Sequence, residues 1–161
     1  MVMGAGDAAP AAQVRDLEGR PVELAALAAR GPALLFFYKG DCPASGLAAH
    51  ALPRLAAVPG LAVAAVSQDD DAETRAFAER HGLHAGVSVL VDPAPWPASD
   101  AFGVRATPTA FLLAPGGRVA GVAEGWSRDE INALAARAAA LAGAPPPVVS
   151  TASDGPGFRP G

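Results

Sequence analysis

The alternation of apolar and polar positions predicts a chain that mixes strands and helices. Residues 13–17 alternate and are followed by a turn at 18–21, which predicts a short N-terminal hairpin. Two almost unbroken apolar runs, at 33–38 and 61–66, are typical of central strands that are covered on both faces. After each run, apolar residues recur at helical spacing. The first half of the chain therefore has the order β-α-β-α after the hairpin.

The second half of the chain predicts a second hairpin and a final helix. A short strand is predicted at 88–91, and the apolar run at 109–113 leads through a Gly-rich turn into a strand at 118–123. The helix over 128–141 begins after a capping box at Ser127 and ends at Gly143. The elements together predict an α/β fold with a central mixed sheet flanked by helices and an N-terminal hairpin extension.

The region with regular apolar periodicity forms one domain, and the two ends of the chain lack such periodicity. We expect a flexible N-terminus at 1–11, a domain at 12–143, and a disordered tail rich in proline and glycine at 144–161. The tail holds five of the 16 prolines, a composition that gives little apolar surface to bury.

Charge and composition exclude several classes of partner. The chain of 161 residues has a formal net charge of −4 and no cluster of Lys and Arg, so we expect no binding to nucleic acid or to anionic lipid. No apolar run is long enough to span a membrane, and the N-terminus lacks the pattern of a secretory signal, which favours a cytoplasmic location. One cysteine and three scattered histidines do not resemble a metal site, so we expect neither a metal nor another cofactor.

Cys42, the single cysteine, is the main candidate for chemistry. It lies between the strand at 33–38 and a helix in which Pro43 takes the favoured first position. Backbone N–H groups at a helix N-terminus favour a thiolate over a thiol. Lys39 would act in the same direction and Asp41 in the opposite one, while the Ser45 hydroxyl is placed to donate a hydrogen bond to the sulfur. The alternative is that Cys42 is a small buried apolar residue.

A second motif, Ala106-Thr107-Pro108-Thr109, stands immediately before the apolar strand at 109–113. Together with Asp41-Cys42-Pro43-Ala44-Ser45, the proline at 53 and the Pro-Gly-Gly-Arg-Val turn, it resembles the redoxin branch of the thioredoxin superfamily, the AhpC/TSA and TlpA/ResA-like proteins. The resemblance covers roughly residues 12–142. It implies a thioredoxin-like fold and a Cys-Pro-x-Cys site that faces a cis-proline loop. In that loop, at Thr107 and Pro108, the backbone of Thr107 would pair with an extended substrate.

The chain departs from the family pattern at Ser45, where these proteins usually carry a second, resolving cysteine. The site Cys-Pro-Ala-Ser therefore has one thiol and cannot complete a dithiol cycle within the chain. The pattern Pro-x-x-x-Thr/Ser-x-x-Cys of typical peroxiredoxins is also missing, because Leu35 and Lys39 stand at its two leading positions.

These residues favour a thiol–disulfide oxidoreductase that forms a mixed disulfide with a protein or a low-molecular-weight thiol. Two alternatives stay open: a peroxide-reducing antioxidant protein with one catalytic cysteine, and a redox-inactive binding protein of thioredoxin fold.

The other notable residues and segments are expected to have structural and not catalytic roles. The segment 157–161 resembles the lead-in to a terminal cysteine or selenocysteine in some proteins of this branch, but an ordinary tail is the favoured interpretation. His50 lies more than two helical turns beyond Cys42, too far to be its base. Trp96 and Trp126 are expected to pack at a domain edge, and Asp69 to Asp71 to cap a helix.

Overall fold

A computed structural model describes residues 2–161 of the protein. In this part of the chain the predicted strands and helices occur in the predicted order, and the two short strands at Trp126–Ser127 and Phe158–Arg159 are additional to them. Two short 3-10 helices lie at Leu24–Ala28 and Ala152–Asp154. The elements are β1 Gln13–Asp16, β2 Pro21–Glu23, β3 Ala33–Tyr38, α1 Pro43–Ala48, α2 Ala51–Ala56, β4 Ala62–Ser67, α3 Asp71–Arg80, β5 Ser88–Val91, α4 Pro97–Ala101, β6 Thr109–Leu113, β7 Val119–Glu124, β8 Trp126–Ser127, α5 Arg128–Ala142 and β9 Phe158–Arg159. None of these helices is both long and apolar enough to cross a membrane.

Seven strands form one mixed sheet in the order β2-β1-β5-β4-β3-β6-β7. The three strands β3, β4 and β5 are parallel, as strands joined by helical crossovers must be. The N-terminal hairpin adds to β5 in antiparallel fashion, and β6 and β7 add to the other side of β3 as an antiparallel hairpin. The predicted central mixed sheet with a hairpin extension is confirmed.

The central strand β3 is buried on both faces, as its unbroken apolar run predicts. Leu34, Phe36 and Tyr38 pack on one side of the sheet in a core that includes residues of α1, α2, α3 and α5. Leu35 and Phe37 pack on the other side, against the 3-10 helix at Leu24–Ala28 and α4. This double burial fixes the position of the turn that follows Tyr38.

The helix after Cys42 is broken into α1 and α2 near His50. The proline at position 53 has no N–H, and its ring clashes with the carbonyl of residue 49, four positions earlier. The N–H of Leu52 instead bonds to the Ala49 carbonyl at 3.1 Å, a tighter turn. The sequence predicted a kink within one helix, and the structure has two separate helices, α1 and α2.

The N-terminal residues differ from the flexible segment that the sequence predicted at 1–11. Met1 lies outside the described residues. From residue 2 onward the chain runs along the edge of the sheet, where the N–H of Gly6 donates to the Val119 carbonyl at 2.8 Å and the N–H of Val119 donates to the Asp7 carbonyl at 2.8 Å. The open edge of β7 supplies the hydrogen bonds that a composition-based prediction leaves out.

The C-terminal residues also differ from the disordered tail predicted at 144–161. Val149 and Ser150 are buried, and Phe158–Arg159 pairs with Trp126–Ser127 as β9 on β8. The low apolar content of the segment suggested disorder, but its order comes from polar contacts with distant residues. The Asn132 amide oxygen accepts the N–H groups of Val149 and Ser150 at 2.9 and 3.2 Å.

Candidate functional site

Cys42 occupies the N-cap of α1, at the end of the turn that leaves β3. Its backbone is extended, with φ −78° and ψ 120°, and Pro43 begins the helix as predicted. The N–H of Cys42 donates to the Lys39 carbonyl at 3.2 Å, and the Cys42 carbonyl accepts the N–H of Gly46 at 3.2 Å. The thiol is partly buried and faces the first N–H groups of the helix, which have no partner within the helix.

The surroundings of the sulfur favour its ionised form. Partial burial by itself raises the pKa of the Cys42 thiol, but hydrogen bonds outweigh it and hold the pKa below the usual value for cysteine. The groups that lower the pKa by stabilising the thiolate are the N–H of Ser45, the side chain of Thr107, the Ser45 hydroxyl and the N–H of Ala44. A partly exposed thiol with a lowered pKa is the kind of cysteine that attacks disulfides.

Ser45 contributes a buried hydroxyl beside the sulfur. The side chain is fully buried, and its Oγ has no hydrogen-bond partner among residues 2–161. Because a buried hydroxyl without a partner is costly, Ser45 is better satisfied when Cys42 is a thiolate that accepts a hydrogen bond from it.

Thr107 and Pro108 meet Cys42 across 65 residues of sequence. The Cys42 thiol donates to the Thr107 carbonyl at 3.2 Å, and the peptide bond between Thr107 and Pro108 is cis. The loop is held on both sides, because the Pro108 carbonyl accepts the N–H of Gly125 at 2.7 Å and the Thr109 hydroxyl donates to the Ala106 carbonyl at 2.7 Å. The two sequence motifs therefore form one site.

The structure places the side chains of Lys39 and Asp41, the two charged residues suggested to act on the thiol, in different surroundings. The Lys39 ammonium lies 5.0 Å from the centroid of the Trp96 ring, and Asp41 is exposed to solvent. Neither side chain is among the main groups that raise or lower the pKa of the Cys42 thiol.

Asp69 is a supporting residue that the sequence analysis missed. Its carboxylate accepts the N–H of Gly40 at 2.7 Å and so holds the turn that leads to Cys42. The neighbouring Asp70 caps α3 by accepting the N–H of Glu73 at 2.9 Å, as predicted. Nothing local distinguishes the three consecutive aspartates, because the partner of Asp69 is 29 residues away.

A cavity of about 400 Å³ lies beside Thr107, between the loop that carries Trp96 and the end of the chain at Gly161. Trp96 lines this cavity and donates from its indole N–H to the Gln68 carbonyl at 2.8 Å. Trp126 is buried and donates to the Pro156 carbonyl at 2.7 Å. The sequence predicted that both tryptophans pack at a domain edge, whereas Trp96 lines a cavity and Trp126 is buried.

The other ionisable residues do not add a metal centre. His50 binds the Leu47 carbonyl and the Ser150 hydroxyl through its two ring nitrogens, at 2.8 and 2.9 Å. Within residues 2–161, no group of three His, Cys, Asp or Glu side chains is arranged to hold a metal ion.

The sequence matches a known protein family. A profile of the AhpC/TSA family matches residues 5–122. No curated protein matches the chain in sequence.

Three similar solved structures share the fold. The thioredoxin domain of a thiol-disulfide oxidoreductase from Bacteroides vulgatus is 18% identical, with 82% of this chain and 96% of that chain covered and a TM-score of 0.70. A secreted Mycobacterium tuberculosis disulfide oxidoreductase homologous to Escherichia coli DsbE is 22% identical, with 67% and 79% covered and a TM-score of 0.59. A thiol:disulfide interchange protein from a Bacteroides species is 19% identical, with 76% and 82% covered and a TM-score of 0.65. The predicted thioredoxin-like fold is confirmed.

Proposed function

Because this chain belongs to the AhpC/TSA family, as its motifs predicted, we propose that it is a thiol–disulfide oxidoreductase that works through Cys42 alone. One observation carries the proposal: the Cys42 thiol, with its lowered pKa, lies 3.2 Å from the carbonyl that precedes the cis-proline. A substrate held along this loop would present its sulfur to the thiolate.

The proposed reaction is a pair of thiol–disulfide exchanges. The Cys42 thiolate attacks one sulfur of a substrate disulfide, so that a Cys42–substrate disulfide forms and the substrate disulfide breaks. The second substrate sulfur leaves as a thiolate and takes a proton from solvent. An external thiolate then attacks the mixed disulfide, which restores the Cys42 thiolate and releases a new disulfide. The partner is accordingly a protein or a low-molecular-weight thiol or disulfide.

Ser45 and Thr107 would position and stabilise the sulfur in this cycle. The Ser45 hydroxyl and the first N–H groups of α1 stabilise the thiolate that attacks and that is restored at the end. Because Ser45 stands where a resolving cysteine would be, the mixed disulfide persists until an external thiol arrives.

The test is capture of the mixed disulfide. The reduced protein is incubated with oxidised glutathione and examined by mass spectrometry, with Cys42→Ser as the matched control. We expect one glutathione per chain in the native protein and none in the variant. A reaction rate that rises with pH to a half-maximum below the usual pKa of a free cysteine, about 8.5, would support the same mechanism.

The same preparation separates the alternatives. If mild peroxide gives a sulfenic acid that a dimedone probe captures while glutathione gives no adduct, the protein is a peroxide reductase with one catalytic cysteine. If neither adduct forms and a partner binds the Cys42→Ala variant as well as the native chain, the site is a binding groove.

A further inference from the structure

The last residues of the chain run back to the candidate site, and the preceding tail is anchored before they reach it. Val149 is fully buried, and its carbonyl accepts a hydrogen bond from Arg54 at 3.0 Å. Arg54 also binds both oxygens of the Asp154 carboxylate, at 2.8 and 2.9 Å. A bidentate pair of this kind fixes direction as well as distance.

Residues 157–161, which we call the strap, continue from this anchor along β8. The N–H of Arg128 donates to the Gly157 carbonyl at 2.8 Å, and the antiparallel pairs are Ser127 with Phe158 and Trp126 with Arg159. β9 also contacts α1, the helix that begins after Cys42. The strap thus contacts both β8 and α1.

Gly161 ends the strap on the carbonyl of Thr107. A Cβ atom placed on Gly161 would lie 2.5 Å from the Thr107 oxygen and 3.1 Å from its carbon, so only glycine fits without movement. Gly125 also has to be a glycine for the strap to pack here, because a Cβ on it would lie 3.0 Å from the Arg159 oxygen and 3.0 Å from the Gly161 nitrogen. Gly161 and Gly125 therefore lie where the backbone of the strap is in close contact with the backbone of the rest of the chain.

This contact places the strap on the backbone carbonyl with which an extended substrate would pair. An added strand has to hydrogen-bond to the free backbone groups of the segment that it joins. A Cβ on Gly161 would overlap the Thr107 oxygen, so the Gly161 backbone already lies against this carbonyl. A small molecule can approach the Cys42 sulfur without pairing with Thr107, whereas an extended peptide must first displace Gly161.

We propose that the strap makes the site selective for small thiols and disulfides, and that it excludes extended protein segments from Thr107 while it is bound. This inference rests on the proposed function for its substrate class, but the exclusion itself concerns access to Cys42 and can be measured without disulfide exchange.

The experiment compares two reagents of the same chemistry and different size. Cys42 is alkylated with N-ethylmaleimide and with the same maleimide attached to a ten-residue extended peptide, and the ratio of the two rates is measured. The native chain is compared with a chain that ends at Pro156, which keeps the Arg54–Asp154 anchor and the carbonyl that accepts Trp126. We expect the rate with the peptide maleimide to rise about tenfold on shortening, which corresponds to about 1.4 kcal/mol, while the rate with the small maleimide stays within about twofold.

A second variant and a control make the test independent of truncation. Gly161→Val should lift the strap from Thr107 and raise the peptide rate in the same direction. Val148→Ser changes an exposed tail side chain outside the strap and should leave both rates unchanged. Thermal unfolding shows that each variant is folded.

An unchanged rate ratio in both strap variants overturns the inference. Disulfide exchange with oxidised glutathione is measured in parallel. If exchange fails while alkylation still depends on the strap, the proposed function is wrong and the exclusion of extended chains stands.

Discussion

Replacement of Ser45 by alanine should have opposite effects on the reactivity of Cys42 and on the stability of the reduced protein. The substitution removes a buried hydroxyl that has no partner among residues 2–161 while Cys42 is a thiol. The same hydroxyl lowers the pKa of Cys42, because it can donate to the thiolate. The Ser45 hydroxyl therefore destabilises the fold when Cys42 is a thiol and stabilises the ionised sulfur when Cys42 is a thiolate.

General magnitudes give the size of each effect. A buried polar group without a partner costs about 1–3 kcal/mol, so its removal should stabilise the reduced protein by about 1 kcal/mol at a pH where Cys42 is a thiol. For a chain of this length that raises the melting temperature by about 2–4 °C. A hydrogen bond to an ionised group contributes about 1.5–3 kcal/mol when buried. Because Cys42 is partly exposed, about 1 kcal/mol is appropriate, which lowers the ratio of thiolate to thiol about fivefold.

Two measurements check this prediction. The rate of alkylation of Cys42 by iodoacetamide across pH gives the thiolate fraction, and thermal unfolding of the reduced protein gives the stability. The matched control is Ser150→Ala, because Ser150 is also buried but its hydroxyl makes hydrogen bonds with the His50 ring and the Arg128 guanidinium at 2.9 and 3.1 Å. The control should lose stability and keep the same pH profile at Cys42.

The reasoning is refuted if Ser45→Ala destabilises the reduced protein and leaves the alkylation profile unchanged. In that case the hydroxyl supports the packing of α1 and does not act on the sulfur.

Three further predictions concern the site, the anchor of the tail and the core. Ser45→Cys should give an internal disulfide with Cys42 after oxidation, so that a thiol assay finds no free thiol in the oxidised variant and two after reduction. The pKa of Asp154 is held below its usual value, first by the Arg54 guanidinium and next by the N–H of Thr151. The ionised carboxylate therefore stabilises the fold above about pH 4, and this stabilisation is lost as the pH falls further. Asp154→Asn should lower the melting temperature at pH 7 and should not lower it in strong acid. Phe102→Ala should cost about 3–5 kcal/mol in denaturant titration, because its ring is fully buried in the core on the α4 side of the sheet, and a loss below about 1 kcal/mol would contradict that packing.

The sequence by itself determined the elements whose signals are local. The apolar run of β3 and the proline at the first position of α1 placed Cys42 at a helix N-terminus, and the strands β5 and β6 have the predicted bounds. Periodicity and proline geometry act within a few residues, so they can be read from a short window of sequence. The absence of a second thiol at Ser45 was equally visible.

Only the tertiary structure decided which distant groups meet. It joined Cys42 to Thr107, gave Asp69 its role at Gly40, turned the Lys39 ammonium toward Trp96, and ordered the tail as far as Gly161. Each of these contacts joins segments that are far apart in sequence, and its stability comes from hydrogen bonds, charge and close packing between them. A composition rich in proline and glycine predicted disorder for the tail because it describes only what the segment can bury by itself. The hydrogen bonds that other parts of the chain supply to the tail exist only once the fold has formed.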